Sequence, residues 1–410
     1  MAALVLADSY SHAQALGVAR SQAPAMLEAH RRFIPSLEQG GLLDRGLERL
    51  PDNDQLAERK AAGLGLAVPE AAVLLAYSKI AIERELIDSD VPEDPYLADE
   101  LERYFPPPLP ERFPAALREH RLRREIVATH ITNSMVNRAG MSFVFRHQEE
   151  TGAAVSDIAR AYAVAREVFD ARGLWHAVEE LDGLVETEVQ YRMLLALRRL
   201  VERATRWLIR NRRPPLDIAA TVAQLSPGAQ ALAEAIPELL LESDREQLER
   251  TAEELRSAGV PDALATRVAG LGAAFSALDV ADVAEATAHS VEDVASVYFA
   301  LGSRLELHTL RDRIAGLARD DRWHALARGA LRDELYGAHR TLTAEVLRTG
   351  APELAVAHRL EAWMEENEAT VERCLQVLAD IRAAGSYDLA TLSVALREIR
   401  GLAGAGAGVA

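Results

Sequence analysis

From Arg124 to Asp182 the chain reads REIVATHITNSMVNRAGMSFVFRHQEETGAAVSDIARAYAVAREVFDARGLWHAVEELD. Its first turns place Ile126, Val127, His130, Ile131, Ser134 and Met135 at spacings of three and four, so they fall on one stripe of a helix. A half-buried strand needs alternation every second residue, and this stretch does not supply it. The local answer is therefore a helix, and Gly140 is placed to stop it. The last turn crowds Thr132, Asn133, Asn137 and Arg138 together. Buried amides and guanidinium groups need hydrogen-bond partners. The cluster is thus either a bonded helix end that fixes the next turn, or a contact to another protein surface.

The same period runs along the whole sequence. Alanine, leucine, glutamate and arginine dominate, aromatic residues make up 5%, and β-branched runs are absent. Met1 enters directly into helical spacing (Leu4, Leu6, Tyr10, Ala13, Leu16), which suggests a start within a longer protein. Ser21 is a candidate cap for a second helix with Pro24 in its first turn, ending at Gly40. Pro51-Asp52-Asn53 caps a third, and Pro69 opens an apolar fourth through Val73, Leu74, Tyr77 and Ile80. Residues 88–114 are rich in proline and acid, which predicts turns and short helices held by Tyr96, Leu97, Leu101, Tyr104, Phe105 and Phe113.

Beyond the central stretch a long helix is predicted from Glu186 to Arg212, ending at Pro214-Pro215. Ser226-Pro227 reads as the cap and first turn of another helix, which Pro237 should kink or end early. Further helices are predicted at Asp244–Ser257, Pro261–Leu271, Gly272–Asp279, Val280–Ala288 and from Ser290, whose partner Asp293 makes a capping box. A long helix after Asp320 should close at Gly350, the next should open at Pro352, and Glu368–Ala383 and Asp388–Ile399 complete the set. Thr151 to Tyr162 lines up with Thr287 to Tyr298 at a constant spacing of 136 residues, which Leu174 and Leu310 share. That predicts a duplicated unit over about 151–182 and 287–318, against the alternative of chance likeness between alanine-rich helices. The fold class is all-α: an elongated domain of antiparallel helices and helical hairpins over 1–400, with subdomains 1–114 and 115–400 and a disordered tail at 401–410.

Chemistry is harder to place. A dinucleotide site needs a strand, a glycine-rich turn and a helix, and none of Gly63-Leu-Gly65, Gly270-Leu-Gly272 or Gly404-Ala-Gly406 lies after a predicted strand. The expectation is no catalytic, cofactor-binding or metal-ligating residue. His289, His308, His324, His339 and His358 lack the spacing of a zinc site and read as surface or satisfied core residues. Cys374 lies on an apolar stripe and reads as a buried structural thiol in a reducing, cytoplasmic setting. A net charge of −17 disfavours a nucleic-acid partner, and no stretch reaches the length of a membrane span. Charge reverses only along Arg192 to Arg213, where Arg199, Arg206 and Arg210 either pair within the chain or dock an acidic partner helix. Asn133, Asn137, Arg138, Arg199, Arg206 and Arg210 are thus the candidate interface residues.

ITNSMVNRAGMSFVFRHQEETGA (131–153), DIARAYAVAREVF (157–169) and RWLIRNRRPPLDIAATVAQL (206–225) resemble the C-terminal region of the large bacterial NAD-specific glutamate dehydrogenases. The resemblance runs in register from about Val5 to about Ile399, with a departure at Ser9 and His12 in the entry helix. It implies a complete enzyme that oxidatively deaminates L-glutamate to 2-oxoglutarate and ammonia with NAD, as a homo-oligomer such as a tetramer. In that family the catalytic module lies upstream, so this stretch of chain is expected to be inactive alone and to bind no cofactor itself. Its role would be scaffolding, oligomerisation or regulation, with the upstream module as partner. The alternative is a stand-alone helical adaptor for protein–protein contacts.

Overall fold

A computed structural model describes residues 2–106, 108–240, 242–318, 321–349 and 354–405. Among them every regular element is a helix. The chain forms two compact units, one of Met1–Ala223 with Ala258–Val260 and one of Gln224–Ser257 with Pro261–Ala410. The expected division at residue 114 does not coincide with this boundary, since the helices on either side of it pack together within the first unit.

The first unit opens with α1 (Ala2–Ser21), α2 (Ala23–Gln39), α3 (Asn53–Ala61) and α4 (Val68–Ile87). Asp52 accepts a hydrogen bond from the Gln55 backbone at 2.8 Å while the Gln55 side chain accepts one from the Asp52 backbone, so the predicted cap of α3 forms. Ser21 does not cap α2: its hydroxyl bonds back to the Val18 carbonyl at 2.9 Å, inside α1. Residues 88–114 are as predicted in kind, with single turns at Val91–Glu93 and Pro95–Leu97, then α5 (Ala98–Tyr104) and α6 (Leu109–Arg112). Leu97 and Leu101 are buried and anchor the segment, whereas Phe113, expected to do the same, is 49% exposed.

Next come α7 (Pro114–Arg118), α8 (Arg123–Ser134), α9 (Phe143–Thr151), α10 (Val155–Val168), α11 (Ala171–Glu179) and α12 (Thr187–Asn211). Helix α10 is buried on nearly all sides, its small alanines letting α4, α9, α11 and α12 approach. On α1, a Cβ at Gly17 would overlap the Tyr191 hydroxyl of α12, so the close crossing requires glycine there.

Helix α13 (Ile218–Leu239) overturns the Ser226-Pro227 expectation, because it runs straight through both residues. Its start is set earlier by Asp217, whose side chain accepts from the Ala220 backbone at 2.9 Å. Proline forfeits a single amide bond inside a helix, and a helix already nucleated and packed tolerates that loss.

The second unit continues with α14 (Glu242–Ser257), α15 (Asp262–Ala269), α16 (Leu271–Ala274), α17 (Ala277–Thr287), α18 (Val291–Arg304), α19 (Leu307–Ala315), α20 (Arg322–Arg348), α21 (Val356–Glu366), α22 (Glu368–Ala384) and α23 (Leu389–Ala405). The break between α16 and α17 falls at Phe275-Ser276 rather than at Asp279, because Asp279 is buried within α17 and held by side chains of other helices. Ser290 accepts from the Asp293 backbone at 3.1 Å and caps α18 as predicted. Gly350 and Pro352, expected to close one helix and open the next, lie outside the described residues. The tail expectation is corrected for 401–405, which extend α23. Leu402 is buried because it continues the stripe of Leu392, Ala395, Leu396 and Ile399. Residues 406–410 lie outside the described residues.

The helix bounds repeat at the same spacing within the predicted 151–182 and 287–318. Val155–Val168 and Val291–Arg304 correspond end to end, as do Ala171–Glu179 and Leu307–Ala315. The joints match as well: Gly152 and Ala288 are left-handed at φ 72° and 54°, and Asp170 and Glu306 at 46° and 50°. In both units the two helices pack against one long helix, α12 or α20, and the aligned tyrosines Tyr162 and Tyr298 are fully buried.

Candidate functional site

The turn that closes α8 holds three of the six candidate residues, Asn133, Asn137 and Arg138. Residues Met135–Ala139 form a π-helix, one extra residue in the turn, which re-aims the side chains beyond it. Met135, Val136 and Ala139 point into the core, leaving Asn137 and Arg138 half-buried at its edge. Asn137 Nδ2 donates to Ser11 Oγ at 3.2 Å, and Arg138 Nη1 donates to Gln14 Oε1 at 2.8 Å, both on α1. Arg138 also pairs with Glu179 of α11 and lies over the Trp175 ring, 5.3 Å from its centroid. Asn137 Oδ1 is buried without a hydrogen-bond partner.

Gly140 ends the turn at φ 102°, where a side chain is strained, and a Cβ there would also sit 3.1 Å from the Arg198 guanidinium. Arg198 donates to the Arg138 carbonyl at 3.2 Å and so braces the turn from α12. Burial, assisted by the charge of Arg146, lowers the Arg198 guanidinium to about 10 against the pull of Glu202. Arg146 pairs with Glu202, and the His147 ring contacts the carbonyls of Phe143 and Glu202 at 2.9 and 3.2 Å. Burial holds His147 at about 4, hence neutral, and does the same to His30.

The candidate residues therefore divide. Asn133, Asn137 and Arg138 sit at the π-turn, with Asn137 and Arg138 committed to α1 and α11. Arg206 is 5% exposed and paired with Glu150 inside the unit, while Arg199 and Arg210 on the same helix are exposed.

Two further clusters escaped the sequence. Glu100, 2% exposed, receives Arg166 at 2.6 Å, His130 at 2.9 Å and Arg172, and so ties α5 to α8, α10 and α11. Burial alone raises a carboxyl, but the adjoining His130 ring and the charges of Arg166 and Arg172 outweigh it and hold Glu100 well below the usual range. In the second unit, fully buried Asp279 accepts from the Tyr298 hydroxyl at 3.1 Å and pairs with Arg340 at 3.2 Å. Arg311 approaches His339 Nδ1 at 2.7 Å, and His339 Nε2 lies 2.8 Å from the Tyr298 carbonyl. These partners assign the neutral tautomer with the proton on Nε2, in keeping with a pKa pushed well below normal by burial and by Arg311. Local spacing gives no sign of either cluster, because each gathers residues from helices far apart in sequence.

What these arrangements do chemically is hold helices. Neutral buried histidines, paired arginines and a Tyr298 hydroxyl raised well above 10 supply no acid or base poised near neutrality. Cys374 is buried, and desolvation lifts its thiol to about 11, as expected for a structural residue. Among the described residues no three His, Cys, Asp or Glu side chains are grouped to hold a metal ion, and no single helix is long and apolar enough to cross a membrane.

The family described as glutamate dehydrogenase, C-terminal, matches residues 63–401. The chain is 40% identical over 401 residues to the NAD-specific glutamate dehydrogenase of Pseudomonas aeruginosa, covering 98% of this chain and 25% of that protein. It is 38% identical over 400 residues to the NAD-specific glutamate dehydrogenase of Halomonas elongata, with 98% and 25% covered. It is 37% identical over 400 residues to that of Mycobacterium tuberculosis, with 98% and 24% covered. The chain thus spans about a quarter of the length of these relatives. An all-helical chain that corresponds almost end to end with one region of these enzymes belongs to the glutamate dehydrogenase C-terminal family.

Proposed function

We propose that this chain acts as the non-catalytic helical C-terminal region of an NAD-dependent glutamate dehydrogenase, supporting the catalytic module or joining subunits. The whole enzyme would convert L-glutamate, NAD and water to 2-oxoglutarate, ammonia and NADH. The observation that carries this reading is the match of 98% of the chain to a quarter of relatives named NAD-specific glutamate dehydrogenases. The described residues supply helices, whereas a nicotinamide dinucleotide site is commonly built on a parallel sheet. Residues elsewhere in the longer enzyme would then bind NAD and transfer the hydride. The π-turn suits a supporting role, since α1, α11 and α12 fix Asn137 and Arg138 before any partner arrives.

Two measurements test the proposal. The 410-residue chain, given L-glutamate and NAD, should form no NADH above a protein-free blank; turnover overturns the non-catalytic reading. In the full-length enzyme, Asn137→Ala should change turnover or subunit association while leaving the thermal midpoint within a few degrees. A fall in stability alone would show that the turn serves only the fold, and a partner contact there would be wrong.

A further inference from the structure

The two halves of α1 are unequally held. Toward its end Ala15 and Val18 are buried, and Gly17 lies against the Tyr191 hydroxyl of α12. Nearer its start Leu6 is 69% exposed and Tyr10 39%, one helical turn apart and so on the same face. Gln14 donates to the Tyr10 hydroxyl at 3.4 Å and accepts from Arg138 at 2.8 Å, which sets this face beside the π-turn. Burial and the charges of Asp182 and Glu179 raise the pKa of the same hydroxyl, which therefore lies near the end of α11. Two residues past Asp182, in the turn that leaves α11, Leu184 is 74% exposed. A helical segment of two or three turns is marginal in water unless its apolar face is packed.

The extent of the relatives says what covers this face. The C-terminal family spans residues 63–401, whereas the full-length relatives match 98% of the chain. Most of α1 is therefore shared with those enzymes yet lies ahead of the span that defines the family. About three quarters of each relative's length lies outside the match. We propose that Leu6, Tyr10 and Leu184 form the seat on which the portion of the full-length enzyme immediately preceding this sequence docks, within the same polypeptide. Such a contact is made between tethered surfaces, so a small apolar seat suffices where free partners would need a standard interface. The inference rests on the reading of this chain as one region of a longer dehydrogenase, and adds to it the face that meets the preceding portion.

The test uses the full-length enzyme that contains this sequence, with the photo-reactive residue p-benzoylphenylalanine in place of Leu6. Illumination should give an adduct that runs under denaturing conditions at the mass of one chain and joins position 6 to a peptide preceding this sequence. Hydroxyl-radical labelling of Tyr10 should be at least about threefold lower in the full-length enzyme than in the 410-residue chain. Leu6→Asp lies near the start of α1, where an acid suits the helix, so the isolated chain should keep its melting temperature within about 2 °C. In the full-length enzyme the same substitution should return Tyr10 labelling to the level of the isolated chain. An adduct of two-chain mass, adducts confined to this chain's own residues, or Tyr10 labelling that is equal in both proteins overturns the proposal. Each of those results leaves the non-catalytic reading standing, because a supporting region can dock by another face. NADH formation by the 410-residue chain would overturn that reading without altering the cross-link.

Discussion

Glu345 on α20 shows how burial acts on one residue. Its Oε2 is buried without a hydrogen-bond partner, and desolvation raises the carboxyl to about 7 despite the opposing charge of Arg348. The folded value lies above the unfolded one, so the neutral acid favours folding and that benefit fades as pH rises from about 4.5 through 7. Glu345→Gln should therefore raise the melting temperature at about pH 8 and leave it nearly unchanged at about pH 4, read by scanning calorimetry. Equal gains at both pH values would refute burial as the cause. Sequence alone offers no hint of this, because Glu345 occupies an ordinary helical position and its environment comes from neighbouring helices. Cys374 was legible, since its apolar neighbours Val371, Leu375 and Leu378 lie on its own helix. Phe113 was not: an aromatic side chain in a proline-rich segment reads as an anchor whether it faces the core or the solvent.

Elements behave similarly. Helix periods, the caps at Asp52 and Ser290 and the end of α12 were legible because each depends on residues within one turn. The π-turn at Met135–Ala139 was not, since its extra residue is held by α1 and α12. The duplicated helical units give a controlled comparison. Tyr162 meets the Ser134 hydroxyl at 2.8 Å, whereas Tyr298 donates to the fully buried Asp279 carboxylate. A hydrogen bond to a charged buried group contributes more than one between hydroxyls. Tyr298→Phe should cost about 1.5–3 kcal/mol and Tyr162→Phe about 0.5–1.5 kcal/mol, measured by urea unfolding. The reverse order would mean that Arg340 alone satisfies Asp279. The matched left-handed joints at Asp170 and Glu306 show that the repeat keeps its backbone geometry while the polar partners of its tyrosine differ.

At the scale of the whole chain, two compact units imply unfolding that is not two-state. Calorimetry should resolve two components. Acid should weaken the first unit, for His30 and His147 bind protons when unfolded below about 6.5 but not when folded until about 4. Glu100, depressed in the fold, adds a loss as pH falls below about 4.5. Glu100→Gln leaves Arg166 buried opposite a neutral amide, at a cost of about 3–5 kcal/mol. It should lower the first unit's transition alone at neutral pH, and a single transition moving as a whole would contradict independent units. Helix identity, the absence of β-forming runs, the repeat's spacing and the family were set by the amino-acid order, because each rests on neighbours within a few turns or on residue-by-residue likeness. Where the units divide, which arginines are spent inside them and which apolar side chains stay in water were decided by the tertiary structure. Burial and pairing depend on residues brought together from distant turns, and one helix's pattern does not name its neighbours.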